Sequence, residues 1–370
     1  MQATGRAVVY EGHREPPNVF RIVEYPRPEP EPGGVLVEMT MANICGSDMH
    51  GYLGEAAYRS ITRPRHLGHE GIGRVAALGE AVTTDSNGAP LGPGDRVVFG
   101  HFYPCGRCRA CVAGKDWCCP RRRDHMEVSS EEWPHFRGTF GDYHYLFARH
   151  TIFKAPDELS DEVVAPVNCA MTQVYCGFEL AALTVGEDVV IQGAGGLGIY
   201  AIAVARERGA GKVIVIDGVR ERLDLAAEFG ADELIDLRES PTPEQRIRRV
   251  KELTGGWGAD VVMEVVGYPA VVEEGIRMVG SGGRLVEIGC RAPHLSYAAV
   301  PEQWVTGNVT IIGNNNYGRR HLSGALDLLR RTRNKYPYHK VLSHQFPLEQ
   351  VNEAFAQQHR GHVTRACLVV

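Results

Sequence analysis

The sequence predicts a two-domain α/β protein, in which a doubly wound parallel sheet is combined with a β-rich domain. Residues 1–168 contain short β-prone runs separated by Pro and Gly, which is unusual for a parallel sheet. Residues 169–313 instead alternate continuous apolar runs with helix-like stretches, which is typical of buried parallel strands covered by helices. Residues 314–370 change in character again, and we expect them to pack onto the first domain.

Composition and charge exclude several classes of protein. The 370 residues suffice for two domains, and 40 basic against 45 acidic residues leave a net charge of −5, which argues against a nucleic-acid partner. No apolar run reaches the length of a membrane span, and the first residues lack the apolar stretch of a signal peptide. Ten cysteines without such a signal indicate metal ligands or free thiols, and hence a cytoplasmic protein.

The predicted elements follow from these patterns. Strands are predicted in the first region at Gly34–Met39, Gly71–Leu78 and Arg96–Phe99, and parallel strands in the second at Val189–Ile191, Val213–Ile216, Val261–Val265 and Leu285–Ile288. The intervening helices are Leu197–Arg208, Glu221–Phe229, Glu244–Leu253 and Val271–Met278; the tail contains helices at Leu322–Arg331 and Leu348–Gln358 and a strand at Ala366–Val370. The long loop Arg121–Gly138 either borders a substrate entrance or lies on the solvated surface.

A glycine-rich motif indicates a dinucleotide cofactor. Gly193, Gly195, Gly196, Leu197 and Gly198 belong to a G-x-G-x-x-G motif that lies between a predicted strand and helix, where the glycines admit a tight turn, a pyrophosphate and close helix packing. Asp217 ends the next strand, 19 residues after Gly198. A carboxylate there can accept the ribose hydroxyls and would repel a 2′-phosphate, so NAD is predicted over NADP. The alternative is an ordinary glycine turn.

Four closely spaced cysteines predict a structural zinc site. Cys105, Cys108 and Cys111 are followed after seven intervening residues by Cys119. Four thiolates close a tetrahedral Zn²⁺ shell and leave no open position. Cys118 is a rival for the fourth ligand, although the spacing favours Cys119. A redox cluster, free thiols or a zinc ribbon that reads nucleic acid would also contain such cysteines.

A second, dispersed group predicts a catalytic zinc. Cys45, His69 and Cys169 would form a Cys₂His site with one open position, which a catalytic zinc needs in order to bind water or an alcohol. Each residue alone is weak evidence, because a single buried cysteine or histidine is more often part of a core.

Taken together, these motifs resemble those of zinc-containing medium-chain alcohol dehydrogenases, in the same order and over essentially the whole chain. The resemblance implies a GroES-like catalytic domain at 1–168 with 314–370 and an NAD-binding Rossmann domain at 169–313. It also implies two Zn²⁺ per subunit, NAD as cofactor, and a homodimer or homotetramer joined near Val309–Ile312.

The resemblance also implies roles for the remaining site residues. Ser47 would bond the substrate oxygen, Asp48 would orient His69, His50 would end a proton relay, Glu70 would lie beside the zinc, Arg222 beside the adenosine ribose, and Arg365 at the pyrophosphate. Zinc would act as a Lewis acid on the alcohol, whose carbon gives hydride to the nicotinamide. Two positions depart from the family: Gly46 replaces a basic residue, and Gln173 replaces a small hydroxyl residue.

The sequence leaves several functions open. The substrate is expected to be an alcohol, aldehyde or ketone, and aromatic walls favour an apolar, cyclic secondary alcohol. The predicted walls are Phe99, His101, Phe102, Tyr103, Cys290 and residues 314–317. A polyol or amino-alcohol dehydrogenase is the main competing function on this scaffold, although Cys169 favours simple alcohols. A zinc-free quinone reductase would share the fold but lack the zinc ligands, and a non-catalytic zinc-containing binding protein would keep the fold without turnover.

Overall fold

The chain forms two compact units in a computed structural model that describes residues 3–12, 16, 19–55, 63–290, 295–361, 363 and 365–370. The first unit comprises Met1–Cys169, Gly318–Arg333 and Tyr338–Val370, and the second comprises Ala170–Tyr317 and Asn334–Pro337. The sequence suggested a boundary at 313/314, whereas residues 314–317 belong to the second unit. The reason is local: Asn314 and Asn316 are hydrogen-bonded to Gln173 of that unit.

Strands dominate the first unit, with all elements numbered along the chain. The strands are β1 (Thr4–Tyr10), β2 (Phe20–Pro26), β3 (Val35–Asn43), β4 (Arg65–His66), β5 (Glu70–Leu78), β6 (Arg96–Phe99), β7 (Tyr143–Leu146), β8 (Ile152–Lys154), β15 (His344–Pro347) and β16 (Ala366–Val369). One sheet has the order β2-β1-β4; the other has the order β15-β16-β3-β5-β6-β8, with β7 also paired to β3. The helices are α1 (Gly46–Tyr52), α2 (Arg109–Val112), α3 (Asp161–Val164), α10 (Arg319–Thr332) and α11 (Val351–His359).

The longest strands of the first unit meet in its core. β3 pairs antiparallel with β5 from Val35 opposite Leu78 to Asn43 opposite Glu70. Aromatic side chains from distant segments close this core, as where the rings of Phe20 and Phe355 lie 4.5 Å apart. The pairing therefore brings the residues after β3 next to the start of β5, and this is where the predicted catalytic ligands lie.

The second unit is a parallel sheet with helices. Its strands are β9 (Val189–Gln192), β10 (Val213–Asp217), β11 (Glu233–Asp236), β12 (Ala259–Glu264), β13 (Val279–Glu287) and β14 (Thr310–Gly313). Its helices are α4 (Thr172–Leu180), α5 (Gly196–Glu207), α6 (Arg220–Glu228), α7 (Pro243–Leu253), α8 (Pro269–Met278) and α9 (Glu302–Val305). The strand order β11-β10-β9-β12-β13-β14 is that of the doubly wound dinucleotide-binding fold, so the predicted fold class is confirmed.

Local chemistry sets the helix boundaries in this unit. α7 starts where the Thr242 hydroxyl accepts a hydrogen bond from the Gln245 N–H and Pro243 takes the first helical position. Strand β11 was not predicted, because the short run Glu233–Asp236 has polar ends and its first two positions are only half-buried. An edge strand of this kind lacks the apolar continuity of its neighbours.

The loop Arg121–Gly138 is partly packed into the first unit rather than wholly solvated. Phe136 is fully buried, and the His135 ring stacks on Tyr25 with centroids 4.9 Å apart. Trp133, by contrast, remains exposed. Within the described ranges, no helix combines the length and apolar character needed to cross a bilayer.

Buried histidines make the first unit sensitive to acid. Burial lowers the pKa of His66 to about 3 and that of His144 to about 4. Below the unfolded-state pKa of about 6.5 the unfolded chain binds these protons while the folded chain does not. Stability is therefore lost as the pH falls from about 6.5 towards 4, by about 1.4 kcal/mol per pH unit for each histidine.

We expect His144→Gln to reduce the loss of folding stability between pH 7 and pH 5. Urea unfolding at pH 7, 6 and 5 should show a smaller pH dependence than wild type, because the variant cannot be protonated. His339→Gln removes an exposed histidine and serves as the control. If the free energy of unfolding depended on pH equally in wild type and His144→Gln, the protonation of His144 on unfolding would be contradicted.

Candidate active site

Four cysteine sulfurs of the first unit converge as a closed metal-binding group. The Sγ atoms of Cys105, Cys108, Cys111 and Cys119 lie within 4.8 Å of one another. Cys108 caps α2, which carries Cys111, and Cys119 follows a 3-10 turn at Asp116–Cys118. Cys118 is exposed and does not belong to the group.

The electrostatics of these thiols suit a divalent cation. A hydrogen bond from the Arg107 backbone lowers the pKa of Cys105 to about 6, whereas burial and the Cys108 thiol raise the pKa of Cys111 to about 12. Neighbouring thiolates therefore oppose one another's ionisation, and a cation among them would remove that opposition. Four sulfurs without an open position fit a structural Zn²⁺.

The predicted catalytic ligands form a second group in the first unit. One ligand atom from each of Cys45, His69, Glu70 and Cys169 lies within 4.8 Å of the others. The cysteine sulfurs of Cys45 and Cys169 are 4.0 Å apart. Cys45 follows β3, and His69 and Glu70 lie at the start of β5, so the β3–β5 pairing brings them together. Cys169 lies on a π-helical segment, Val167–Met171, a distortion often found at functional sites.

Helix α1 supports the histidine ligand. The Asp48 carboxylate lies 3.4 Å from His69 Nδ1 and accepts a 2.9 Å hydrogen bond from the Cys45 backbone N–H. An acid at Nδ1 leaves Nε2 for a metal, as expected for a ligand histidine. Ser47 Oγ lies 3.5 Å from the same Nε2, so its hydroxyl also faces the group.

Glu70 has a partner that the sequence analysis did not identify. Its carboxylate forms an ion pair with Arg365, and both side chains are almost fully buried. Burial raises the pKa of Glu70 to about 7, and the charge of Arg365 opposes that rise. Arg365 was assigned to the cofactor pyrophosphate by resemblance; that contact stays a prediction, and the observed partner of the guanidinium is Glu70.

His50 lies in the last turn of α1 and is partly exposed. Its Nδ1 is 2.7 Å from a carboxylate oxygen of Glu55, and its side chain is 34% exposed. An imidazole with one side open to water and a carboxylate beside it can pass a proton outward. The relay through His50 stays a prediction, and Glu55 is a partner that no motif indicated.

The glycine motif of the second unit has the geometry of a phosphate cradle. Gly193 has a φ of +99°, and a Cβ on Gly198 would lie 1.8 Å from the Gly193 carbonyl oxygen, so only glycine fits at both positions. A Cβ on Gly195 would meet nothing within 4 Å, which leaves its backbone open to a ligand. Helix α5 begins at Gly196, followed by Leu197, and its first N–H groups are available for a pyrophosphate.

Asp217 is held at the end of β10 beside this loop. Its two carboxylate oxygens accept hydrogen bonds from the N–H groups of Ala194, at 2.7 Å, and Val219, at 2.8 Å. Each oxygen keeps a further lone pair for a ribose hydroxyl. Arg222 lies on the following helix, α6, and is half-buried. The residues present therefore fit a dinucleotide.

The predicted pocket walls divide into two groups. In the first unit, the ring of His101 lies 5.2 Å from that of His69, and Phe102 packs on His101. Phe99 is instead fully buried in the core, and the ring of Tyr103 packs on that of His150, with centroids 3.9 Å apart. Phe99 and Tyr103 therefore contribute to the interior packing of this unit, whereas His101 is the wall residue that contacts a ligand histidine.

In the second unit, Gln173 connects the residues after β14 to helix α4. Its amide nitrogen donates to the Asn314 carbonyl at 2.9 Å, and its amide oxygen accepts from the Asn316 N–H at 3.1 Å. Asn314 in turn donates to the Gln173 carbonyl at 3.0 Å. The glutamine side chain is long enough to form both of its hydrogen bonds, whereas a short hydroxyl side chain would reach fewer partners. This difference explains the departure from the family at position 173.

Comparison with known proteins agrees with this architecture. Residues 31–157 match the family described as "Alcohol dehydrogenase GroES-like domain", and residues 196–331 match "Zinc-binding dehydrogenase". Among solved structures, an alcohol dehydrogenase from Thermotoga maritima is similar with a TM-score of 0.89 and 29% identity, covering 99% of each chain. An alcohol dehydrogenase from Thermus sp. ATN1 has a TM-score of 0.80 and 28% identity, again with 99% coverage of each.

Curated relatives extend over nearly the whole chain. The chain is 32% identical to 5-exo-hydroxycamphor dehydrogenase of Pseudomonas putida, over 96% of this chain and 95% of the relative. It is 29% identical to L-threonine 3-dehydrogenase of Bacillus licheniformis, over 96% of each. With this similarity and both domain families matched in order, the chain belongs to the zinc-dependent medium-chain dehydrogenase/reductase family and is an oxidoreductase.

Proposed function

We propose that the protein is a zinc-dependent NAD(H) alcohol dehydrogenase that reversibly oxidises an apolar alcohol to an aldehyde or ketone. The observation that carries this proposal is the convergence of Cys45, His69 and Cys169 beside the Ser47 hydroxyl. Two thiolates and one imidazole are a Zn²⁺ ligand set, and three ligands leave a coordination position for an alcohol oxygen.

The Arg365 ion pair supports an open rather than a closed catalytic site. Glu70 has an oxygen near the three ligands, so it is a fourth candidate ligand. The buried guanidinium of Arg365 donates a charge-assisted hydrogen bond to Glu70 Oε2 and already balances the charge of this carboxylate, while Oε1 lies 4.0 Å from His69 Nε2. Glu70 therefore does not need a metal to compensate its buried charge. We therefore assign Glu70 a place beside the metal rather than in its resting ligand set.

The chain's own residues orient the alcohol and remove its proton. When bound, zinc would act as a Lewis acid on the alcohol oxygen, and NAD⁺ would accept the hydride, leaving a carbonyl product, NADH and one proton. Ser47 would take up the hydroxyl proton while giving up its own, and His50, bonded to Glu55, would release one proton to solvent at the end of the relay. Asp48 fixes the ring of His69 throughout.

Cofactor choice follows from Asp217. Its carboxylate is anchored by two backbone N–H groups, so it cannot swing away from a 2′-phosphate. Like-charge repulsion then favours NAD over NADP. Arg222 is proposed to lie beside the adenosine ribose, and Arg365 at the pyrophosphate remains part of the proposal.

The substrate class we propose is a medium-sized cyclic secondary alcohol. The relative named 5-exo-hydroxycamphor dehydrogenase supports it, since the compound in that name is a bicyclic secondary alcohol. The ring of Phe102 packs on that of His101, which contacts the ligand His69, so an aromatic side chain lies close to this group. Amino alcohols and polyols are the second candidate, supported by relatives named threonine and D-xylulose enzymes.

One experiment separates these candidates. Protein purified with zinc is assayed for metal content per subunit and for NADH formation with cyclohexanol, borneol, xylitol and L-threonine. Two zincs and turnover of the cyclic alcohols are expected. Turnover of only xylitol or L-threonine would show that the substrate is a polyol or an amino alcohol instead of a cyclic alcohol. One bound zinc and no turnover with any substrate would favour a non-catalytic binding protein.

We also propose a cytoplasmic homo-oligomer, a dimer or tetramer, without nucleic-acid or membrane partners. Six of the ten cysteines lie in the two metal-binding groups, which suits a reducing compartment. β14 is the edge strand of its sheet, and Ile311 is 42% exposed there. Pairing with a second copy would cover this edge. Light scattering of the purified protein measures the subunit number.

Replacement of Cys45 should empty one metal site and preserve the other. We expect Cys45→Ala to bind one zinc per subunit and to lose turnover by on the order of a thousandfold, because Lewis-acid stabilisation of the transition state is worth several kcal/mol. The melting temperature and NADH binding should change little. Cys118→Ala, an exposed cysteine outside both groups, is the control; full activity of Cys45→Ala would refute the assignment.

Replacement of His50 should slow proton release. His50→Gln is expected to reduce the rate of alcohol oxidation by about 100-fold near and below neutral pH, where a missing acid–base group limits turnover. The effect should shrink at alkaline pH, where hydroxide accepts the proton. A pH–rate profile for kcat provides the measurement, and a curve identical to wild type would exclude the relay.

A further inference from the structure

Two glutamates lie side by side at the carboxyl edge of the parallel sheet. Glu264 ends β12 and Glu287 ends β13, and the two are register partners in neighbouring parallel strands. Such partners are separated by about 4.8 Å across the sheet. Glu264 is fully buried and Glu287 half-buried, so two negative charges here would repel each other strongly.

The hydrogen-bond donors around the pair assign the charge to Glu264. One Glu264 oxygen accepts from the N–H groups of Val266 and Gly267, both at 2.7 Å, and the other accepts from Gly289 at 3.2 Å. Three donors stabilise a carboxylate. Of the residues that the structure describes, Cys290 alone donates to Glu287, through its N–H to Oε1 at 2.7 Å. Its Oε2 is buried, and no described residue donates to it.

The charges around Glu287 favour its neutral form. Burial and the neighbouring Glu264 raise the pKa of Glu287 to about 8. Among the described residues, the other titratable groups on this side are Cys290 after β13 and Tyr297, and Glu273 of α8 acts on the same tyrosine. Within the part of the chain that the structure describes, the pKa of Glu287 is lowered by no basic side chain. A proton on Glu287 Oε2 can be donated to the Glu264 carboxylate.

This pair is connected to the glycine loop through one turn. The Glu264 carboxylate fixes residues 265–267 by bonding to two consecutive N–H groups. Val266 then packs on the loop: a Cβ on Gly193 would lie 2.8 Å from Val266 Cγ2. The turn after β13 packs equally tightly, since a Cβ on Gly289 would lie 2.6 Å from Glu264 Oε2.

We propose that Glu287, as a neutral carboxylic acid, donates a hydrogen bond to the Glu264 carboxylate and is a positioning residue that holds the turn at 265–267 against the cofactor's glycine loop. The inference rests on the proposed binding of NAD(H). When Glu287 loses its proton at alkaline pH, two carboxylates face each other, the turn moves off Gly193, and the cofactor binds more weakly.

The test compares zinc-loaded wild type with Glu287→Gln, which cannot ionise but keeps a donor for Glu264 and an acceptor for the Cys290 N–H. Glu252→Gln, an exposed residue of α7, is the matched control. Dissociation constants for NADH are measured by fluorescence at pH 7 and 9.5. From pH 7 to pH 9.5, the dissociation constant for NADH should rise in wild type and in the control by a factor about tenfold or more larger than in Glu287→Gln. The reason is that tight binding is linked to the proton that Glu287 holds at pH 7.

The protonation of Glu287 can also be tested by measurements that need no cofactor. A carboxyl whose pKa is raised on folding stabilises the native state below its unfolded-state pKa, and this stability is lost as the pH rises to the folded value of about 8. The melting temperature of Glu287→Gln should therefore equal that of wild type near pH 5 and exceed it at pH 8.5. Infrared difference spectra, wild type minus Glu287→Gln, should contain a protonated carboxylic-acid band at pH 7 that disappears around pH 8. Glu70, whose pKa is about 7, is present in both proteins and cancels in the difference.

The two glutamates should also respond differently to the same change. Glu264→Gln should lower the melting temperature at neutral pH, because an amide nitrogen would face one of the three N–H donors. Parallel binding and melting curves for wild type and Glu287→Gln, or an unchanged acid band, would overturn the role of Glu287. No NADH binding in any of the proteins would instead overturn the proposed function, and the cofactor role with it. If Glu287→Gln fails to fold, infrared spectra of Glu70→Gln decide: an acid band that disappears around pH 8 in this variant supports the role of Glu287, and its absence overturns it.

Discussion

The antiparallel pairing of β3 with β5 is the interaction on which the catalytic group depends. It sets Asn43 opposite Glu70, so that Cys45, two residues beyond one strand, lies beside His69, one residue before the other. A shift of this register by one residue would turn every side chain of the strand to the other face of the sheet. The buried apolar residues of β3, packed in the core of the first unit, oppose such a shift.

In the second unit, polar side chains stabilise the irregular backbone that follows the strands. Asp217 bonds to the glycine loop, Glu264 bonds to the turn after β12, and Gln173 bonds to residues after β14. Parallel strands end together at one edge of a sheet, where the backbone N–H groups have no strand partners. Buried side chains that form these hydrogen bonds give this edge of the sheet a defined shape.

Local spacing made the four-cysteine group and the glycine loop predictable. The dispersed residues Cys45, His69 and Cys169 were weak evidence one by one and gained weight only from the joint pattern of motifs, and their long-range partners were not predicted. The four-cysteine spacing, the strand–loop–helix setting of Gly193 and the fold class are all properties of short segments. The contact of Arg365 with Glu70 spans 295 positions, and that of Gln173 with Asn314 spans 141. Neither pair has a motif, since each depends on the folded topology. Edge strand β11 was missed for a related reason, because partial burial does not require an apolar sequence.

The ion pair of Arg365 with Glu70 makes the candidate catalytic group depend on the C-terminal strand. Arg365 immediately precedes β16, which pairs with β3 through Cys367 opposite Asn43, so the pairing of these two strands positions the guanidinium beside Glu70. A substitution that undocked β16 would remove the positive charge that opposes the effect of burial on Glu70. The pKa of this carboxyl would then rise further above its ordinary value, and the charge of the group would depend on a strand that contributes no metal ligand.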